Sequence, residues 1–141
     1  MSDPKENAPD KAARLGMDLI LPTDHELFVD IDAKYALDIF HQRFDLFKTV
    51  CKDATKQYTK SKSGNWHVYV TVPSQVFTMD ERIALQAALG SDPLREMIAT
   101  FHHKEGYQYP SVFFEHPNTV RADNPHTKIR ETFHAIRSSA S

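Results

Sequence analysis

Between residues 27 and 50 the spacing of apolar residues changes from two to three and four, which predicts a strand followed by a helix. In the stretch 27–32, which reads Leu-Phe-Val-Asp-Ile-Asp, every second residue is apolar, as expected for a half-buried strand. From about 34 to 50 the spacing is that of an amphipathic helix. Its predicted buried stripe is Leu37, Phe40, Phe44, Phe47 and Val50. We expect this helix to cover one face of a sheet.

The pattern continues with a hairpin and then a last strand. Residues 55–60 and 66–72 are rich in Thr, Tyr, Trp and Val, and the polar turn between them contains Gly64. In the second arm the apolar residues alternate with His67, Tyr69 and Thr71, so these three are expected on the opposite face. Residues 110–115 are the last strand candidate, with Phe113 and Glu115 on one face.

Two helices are predicted between the hairpin and the last strand. The first spans 79–89 and ends at Gly90. The second begins at Pro93 and is capped by Asp92. Its predicted buried stripe is Leu94, Met97, Ile98 and Phe101.

This order of elements predicts an α+β fold of the ferredoxin-like, RRM-like type, βαββαβ, with a four-stranded antiparallel sheet, helices on one face and the other face open. Residues 1–16 are expected to be a flexible arm and 17–116 the folded domain. Residues 117–141 are expected to form a loop and a short amphipathic helix, with apolar positions Ile129, Phe133 and Ile136.

Composition narrows the possible functions. A formal net charge of -2 excludes a wholly basic nucleic-acid coat, so affinity for phosphates requires a local patch or a metal. Cys51, the only cysteine, excludes an intramolecular disulfide and is interpreted as core packing. The sequence has no run of apolar residues as long as a membrane span, and we expect a cytoplasmic protein without a membrane partner.

The candidate chemistry begins with Asp30 and Asp32, whose positions on one strand place both carboxylates on one face. Like charges so close together favour a divalent metal between them; the alternative is a strand end with solvated acids. His67 and Glu115 are expected on the same open face, because the first strand of this topology lies between the strands that carry them. The convergence favours the metal site.

The combination of Asp30-Ile31-Asp32, the turn Ser63-Gly64-Asn65-Trp66-His67 and a later strand ending at Glu115 resembles the archaeo-eukaryotic primase and primase-polymerase superfamily. The resemblance covers roughly residues 26–116, the catalytic palm. It implies a nucleotidyltransferase in which Asp30, Asp32 and Glu115 are catalytic and bind Mg²⁺ or Mn²⁺. Nucleoside triphosphate would be bound by Ser63 and His67, with help from Lys60 and Lys62. Implied partners are DNA or RNA and a second copy or a replication protein.

Four alternatives remain. A metal-dependent nuclease would use the same ligands. A degenerate relative would bind nucleotide, or act as a partner protein, without catalysis. A small structural or regulatory protein would use its acidic face to contact a partner. A non-catalytic RRM-like protein would bind single-stranded nucleic acid by stacking bases on Phe28, Tyr69 and Phe113 of the open face.

Overall fold

The computed structural model describes residues 6–60 and 64–126, which form a mixed α+β fold with two small sheets. The helices in these ranges are α1 (Ala8–Leu15), α2 (Lys34–Val50), α3 (Met79–Ala88) and α4 (Pro93–Lys104). The strands are β1 (Asp18–Ile20), β2 (Glu26–Ile31), β3 (Thr55–Lys60), β4 (Trp66–Thr71) and β5 (Phe113–Glu115). One sheet has the antiparallel order β2-β4-β3, and β1 pairs with β5 in a separate antiparallel ribbon.

The main core lies between α2 and the three-stranded sheet, with the faces that the alternation predicts. Leu27, Val29 and Ile31 of β2 are fully buried there against Leu37, Phe40 and Phe44 of α2 and the apolar residues of β4. Cys51 is half-buried against the same core, which agrees with a packing role. Val50 does not belong to the stripe, because this last residue of α2 is 82% exposed.

The predicted four-stranded sheet is wrong, because β5 pairs with β1 and not with β2. The ribbon of β1 and β5 lies over the sheet face that was expected to be open. Phe113 of β5 stacks on Phe28 with ring centroids 4.8 Å apart and meets the edge of Tyr69 at 5.4 Å. The second face of the sheet is therefore a small aromatic core.

The physical reason is that hydrogen bonds from α3, α4 and their connecting turn already occupy the free edge of β2. The backbone of Glu26, Phe28 and Asp30 makes all of these bonds. Arg82 Nε and Arg95 donate to the carbonyls of Glu26 and Phe28 at 3.0 and 3.1 Å, and Asp92 N donates to Asp30 O at 2.8 Å. Phe28 N donates to Gln86 Oε1 at 2.7 Å and Asp30 N to Ser91 Oγ at 2.9 Å. A fourth strand has no free backbone groups to pair with at this edge.

The predicted buried stripe of α4 is also wrong. Leu94, Met97, Ile98 and Phe101 are 63%, 60%, 45% and 59% exposed, whereas Glu96 is buried. The Glu96 carboxylate accepts hydrogen bonds from Gln86 Nε2 at 2.9 Å and Ser91 Oγ at 2.6 Å, and it pairs with Arg95. These bonds fix the rotation of α4 about its axis and turn its apolar side outward.

The segment expected to be a flexible arm contains α1 where the structure describes it. Asn7 caps the helix by accepting from Asp10 N at 2.9 Å, and Pro9 stands in its first turn. Residues 1–5, 61–63 and 127–141 lie outside the described residues, and with them the predictions for Ser63, Lys62 and the C-terminal helix. No helix in the described ranges has the length and apolarity needed to cross a bilayer.

Candidate functional site

His67 is the centre of the candidate site, where it lies between two carboxylates. On β4 it stands opposite Asp30 of β2, and its Nε2 lies 3.8 Å from Asp30 Oδ1. Its Nδ1 is hydrogen-bonded to Glu115 Oε1 of β5. The imidazole stacks flat on Phe113, with centroids 3.9 Å apart. The ring is therefore fixed in position and in plane.

The sequence prediction that Asp30 and His67 lie side by side on one face is confirmed, whereas Glu115 contacts His67 without belonging to that face, because its strand is in a different sheet. The register of β2 and β4 places Asp30 beside His67, as the alternation predicts. Glu115 arrives on the separate ribbon, where it pairs with Asp18 of β1. It approaches His67 from above the sheet and not from a neighbouring strand.

The Asp30 carboxyl lies in surroundings that disfavour its charge. Burial raises its pKa, and the nearby carboxylates of Asp92 and Asp32 add to the rise. His67 and Arg95 act in the opposite direction without cancelling the effect. An approaching cation would relieve this unfavourable charge.

The pKa of the Glu115 carboxyl is shifted in the opposite direction. Burial by itself would raise its pKa, but the hydrogen bond and charge of His67, with smaller contributions from the hydroxyls of Thr59 and Tyr69, lower it overall. Because the ionised Glu115 only accepts hydrogen bonds, Nδ1 of His67 carries the proton in this pair. The other ring nitrogen, Nε2, is the one directed toward Asp30.

Replacing Glu115 by glutamine is expected to lower the free energy of unfolding at pH 7 by about 1.5 to 3 kcal/mol, the range for hydrogen bonds to charged groups. Since the folded pKa of Glu115 is lowered, its contribution is present above the ordinary glutamate pKa and is lost as the pH falls through the folded pKa. Urea denaturation at pH 7 and near pH 3 measures both effects. Glu105→Gln, at an exposed position, is the control. If Glu115→Gln lowered the free energy of unfolding by the same amount at both pH values, the role of the Glu115 charge would be contradicted.

Asp30, Asp32 and His67 open together into a cleft of about 1060 Å³. Asp92 and Arg95, at the start of α4, line the same end of the cleft. The remaining walls come from α1, the outer side of α4 and the segment that leads into β5. The cleft thus has an acidic end, which also includes Arg95 and His67, and a continuation lined mainly by apolar and aromatic residues, with Glu6 and Lys11 as charged side chains among them.

The three predicted metal ligands do not form one centre. Glu115 lies behind His67 and lines a separate cavity of about 80 Å³, while Asp30 and Asp32 face the cleft. In the part of the chain that the structure describes, no three His, Cys, Asp or Glu side chains are grouped to hold a metal ion. Mg²⁺, however, is usually bound by one or two carboxylates together with the phosphates of its substrate. Asp30 and Asp32 suit a metal that arrives with a phosphorylated ligand.

Of the predicted nucleotide-binding residues that the structure describes, only His67 lines the cleft. Lys60 Nζ donates to Gly64 O at 3.1 Å and lies 4.0 Å from the centroid of Trp66, whose side chain belongs to the main core. The alternation along β4 puts Trp66 and His67 on opposite faces, so the structure does not bring Lys60 to the cleft.

Sequence reasoning missed several residues of the cleft. Asp92 was interpreted only as a helix cap, and Arg95, just inside the same helix, was expected to be solvated, although it could also reach an anion. Arg95 instead bridges Phe28 O and Val112 O, both at 3.1 Å, and so ties β2 to the segment that precedes β5. The apolar spacing along α4 was the available signal for the cleft wall, but it equally predicts a buried face.

Comparison of the chain with protein families, with curated proteins and with solved structures gives no match. Function is therefore inferred from the chemistry of the cleft and from the resemblance of its short motifs.

Proposed function

We propose that the cleft binds a nucleoside triphosphate with Mg²⁺ or Mn²⁺ and transfers its nucleotidyl group to an acceptor hydroxyl. The observation that carries the proposal is the common opening of Asp30, Asp32 and His67 into one cleft. Its volume of about 1060 Å³ accommodates a ligand of nucleotide size. Asp30, Asp32 and His67 also belong to the motifs that resemble the primase and primase-polymerase superfamily, together with Ser63 and Glu115.

The charge at the acidic end favours a cation-bound ligand. Asp30, Asp32 and Asp92 line this end, so a free polyphosphate would be repelled. When bound, a divalent metal neutralises charge on the phosphates and lowers the pKa of the attacking hydroxyl. Burial and the neighbouring carboxylates of Asp92 and Asp32 raise the pKa of Asp30, and a bound cation would offset the repulsion between these carboxylates.

The protein's own side chains have distinct roles in this proposal. Asp30 and Asp32, at the C-terminal end of β2, hold the metal-bound phosphates. His67 presents Nε2 to the cleft, because Glu115 holds Nδ1 and Phe113 fixes the plane of the ring. Such prepositioned groups favour transfer because no reorganisation is needed when the ligand binds.

The strand order supports interpretation of the fold as a modified ferredoxin-like palm. The strands β2, β3 and β4 correspond to the first, second and third strands of the predicted βαββαβ topology, and their order in the sheet, β2-β4-β3, is the one that this topology requires. Of the four predicted strands, only the last is displaced. In the proposal a template of DNA or RNA is bound beside the cleft. A second copy or a replication partner would supply whatever template contacts this small domain lacks.

The competing RRM-like single-strand binder has lost its stacking platform in this structure. Phe28, Tyr69 and Phe113 are 0%, 2% and 2% exposed, so none presents a face to a base. These three aromatic residues instead form the small core between the sheet and β5.

Asp32→Asn tests the proposal without disturbing the fold, because Asp32 is exposed. We expect affinity for a non-hydrolysable nucleoside triphosphate in the presence of Mn²⁺ to fall at least about tenfold, or 1.4 kcal/mol. Isothermal titration calorimetry of the wild type and the variant measures this loss. Asp38→Asn, at an exposed position of α2, is the matched control and should bind like the wild type. Absence of binding to the wild type, or equal binding by Asp32→Asn, would overturn the proposal.

A further inference from the structure

The exposed apolar side of α4 consists of two stripes with different surroundings. Leu94, Ile98 and His102 recur every four residues and line the cleft. Met97 and Phe101 belong to the neighbouring stripe and do not line it, although they are exposed to a similar extent. The first stripe is therefore part of a concave wall, and the second lies on the outer surface.

The loop after α4 adds aromatic rings to this wall. Tyr107 stacks flat on His102, with centroids 4.2 Å apart and planes within 2°. Tyr109, two residues further along the chain, also lines the cleft. Leu94, Ile98, His102, Tyr107 and Tyr109 together are called the α4 wall.

Distance along α4 separates this wall from the acidic end. At 1.5 Å per residue, Ile98 stands about 9 Å and His102 about 15 Å along the axis from Asp92. The acidic end therefore accommodates a metal-bound polyphosphate, while the far part of the wall offers apolar and aromatic surface. A ligand that satisfies both ends is amphipathic, with phosphates at one end and a planar ring at the other.

We propose that the α4 wall is the subsite for the nucleobase of the bound nucleotide, an inference that rests on the proposed function and specifies the ligand. Aromatic side chains bind any base by its ring face, so the wall favours nucleotides over inorganic polyphosphate without requiring one base. A base bound to the wall covers Leu94 and Ile98, which are 63% and 45% exposed.

The test compares two manganese-bound ligands, a non-hydrolysable nucleoside triphosphate and inorganic tripolyphosphate, by calorimetry. Tyr107→Ala is expected to weaken nucleotide binding about 5- to 100-fold, the effect of losing one stacked base contact, and to leave tripolyphosphate binding unchanged. Tyr107→Phe, which keeps the ring, should bind the nucleotide nearly as well as the wild type. Tyr35→Ala, at a 72% exposed tyrosine of α2, controls for loss of an aromatic residue elsewhere.

Ile98→Ser provides a second variant that does not endanger folding, because Ile98 is already exposed. We expect a nucleotide-specific loss of about 3- to 10-fold from the smaller apolar contact. Met97→Ser, on the same helix but outside the cleft, should bind both ligands like the wild type.

The two ligands separate the possible failures. If tripolyphosphate and nucleotide bind the wild type equally, or if Ile98→Ser and Tyr107→Ala bind the nucleotide as the wild type does, the base subsite is wrong while the metal-phosphate site stands. If neither ligand binds the wild type, both the subsite and the proposed function are overturned.

Discussion

Gln86→Leu is expected to lower the free energy of unfolding by about 3 to 5 kcal/mol, because it leaves several buried polar groups without partners. Gln86 is fully buried, and its Oε1 accepts from Phe28 N at 2.7 Å. Its Nε2 donates to Glu96 Oε1 at 2.9 Å and to Ser111 Oγ at 3.0 Å. Leucine has a similar volume, so the loss reports the hydrogen bonds and not a cavity.

Urea denaturation measures this effect, with Gln42→Leu as the matched control on an exposed turn of α2. The control is expected to change stability by no more than about 0.5 kcal/mol. A loss below about 1 kcal/mol in Gln86→Leu would contradict the view that α3 and α4 satisfy the edge of β2.

This buried polar edge is also where sequence reasoning stopped being sufficient. The periods of two and of three to four residues are local, so they predicted α2 and β3 correctly and β2 and β4 to within one residue. The position of β5 depends instead on which edge has free backbone groups. That edge is occupied by side chains of Gln86, Ser91 and Arg95, which no periodicity reveals.

The residues of the candidate site also differ in how well the sequence predicted their positions. Asp30 and His67 were placed together correctly, because alternation along two paired strands fixes which side chains share a face. Glu115 was predicted on the same sheet as Asp30 and His67, but it stands on the separate ribbon with β1, a strand that the sequence did not indicate. For Ile98 the apolar spacing was recognised, yet spacing alone does not distinguish a core face from a cleft wall.

Asp30→Asn is expected to increase stability at neutral pH while strongly reducing the rate of the proposed nucleotidyl transfer. Because the folded pKa of Asp30 is raised, mainly by burial, its ionised form disfavours the folded state at pH 7. The neutral amide removes this penalty. This pH dependence is the opposite of that of most carboxylates in folded proteins. The contribution of Asp30 to stability is present below its ordinary pKa of about 3.9, and it is lost as the pH rises through the folded pKa. The gain should therefore shrink when both proteins are compared near pH 3.

For transfer, the measurement is release of pyrophosphate from a mixture of nucleoside triphosphates with Mn²⁺ and single-stranded DNA. If Asp30 holds the metal as proposed, we expect the rate to fall at least about 100-fold, because Asp30→Asn then removes stabilisation of the charge that develops on the phosphates. Asp32→Asn should also lose activity but without the gain in stability, because Asp32 is exposed where Asp30 is half-buried. This contrast distinguishes Asp30, whose charge lowers the stability of the fold but is proposed to serve binding, from Asp32, whose charge carries no such cost in stability. An Asp30→Asn protein that is less stable than the wild type at pH 7, or that keeps its transfer activity, would show that Asp30 is a structural partner of His67 and not a metal ligand.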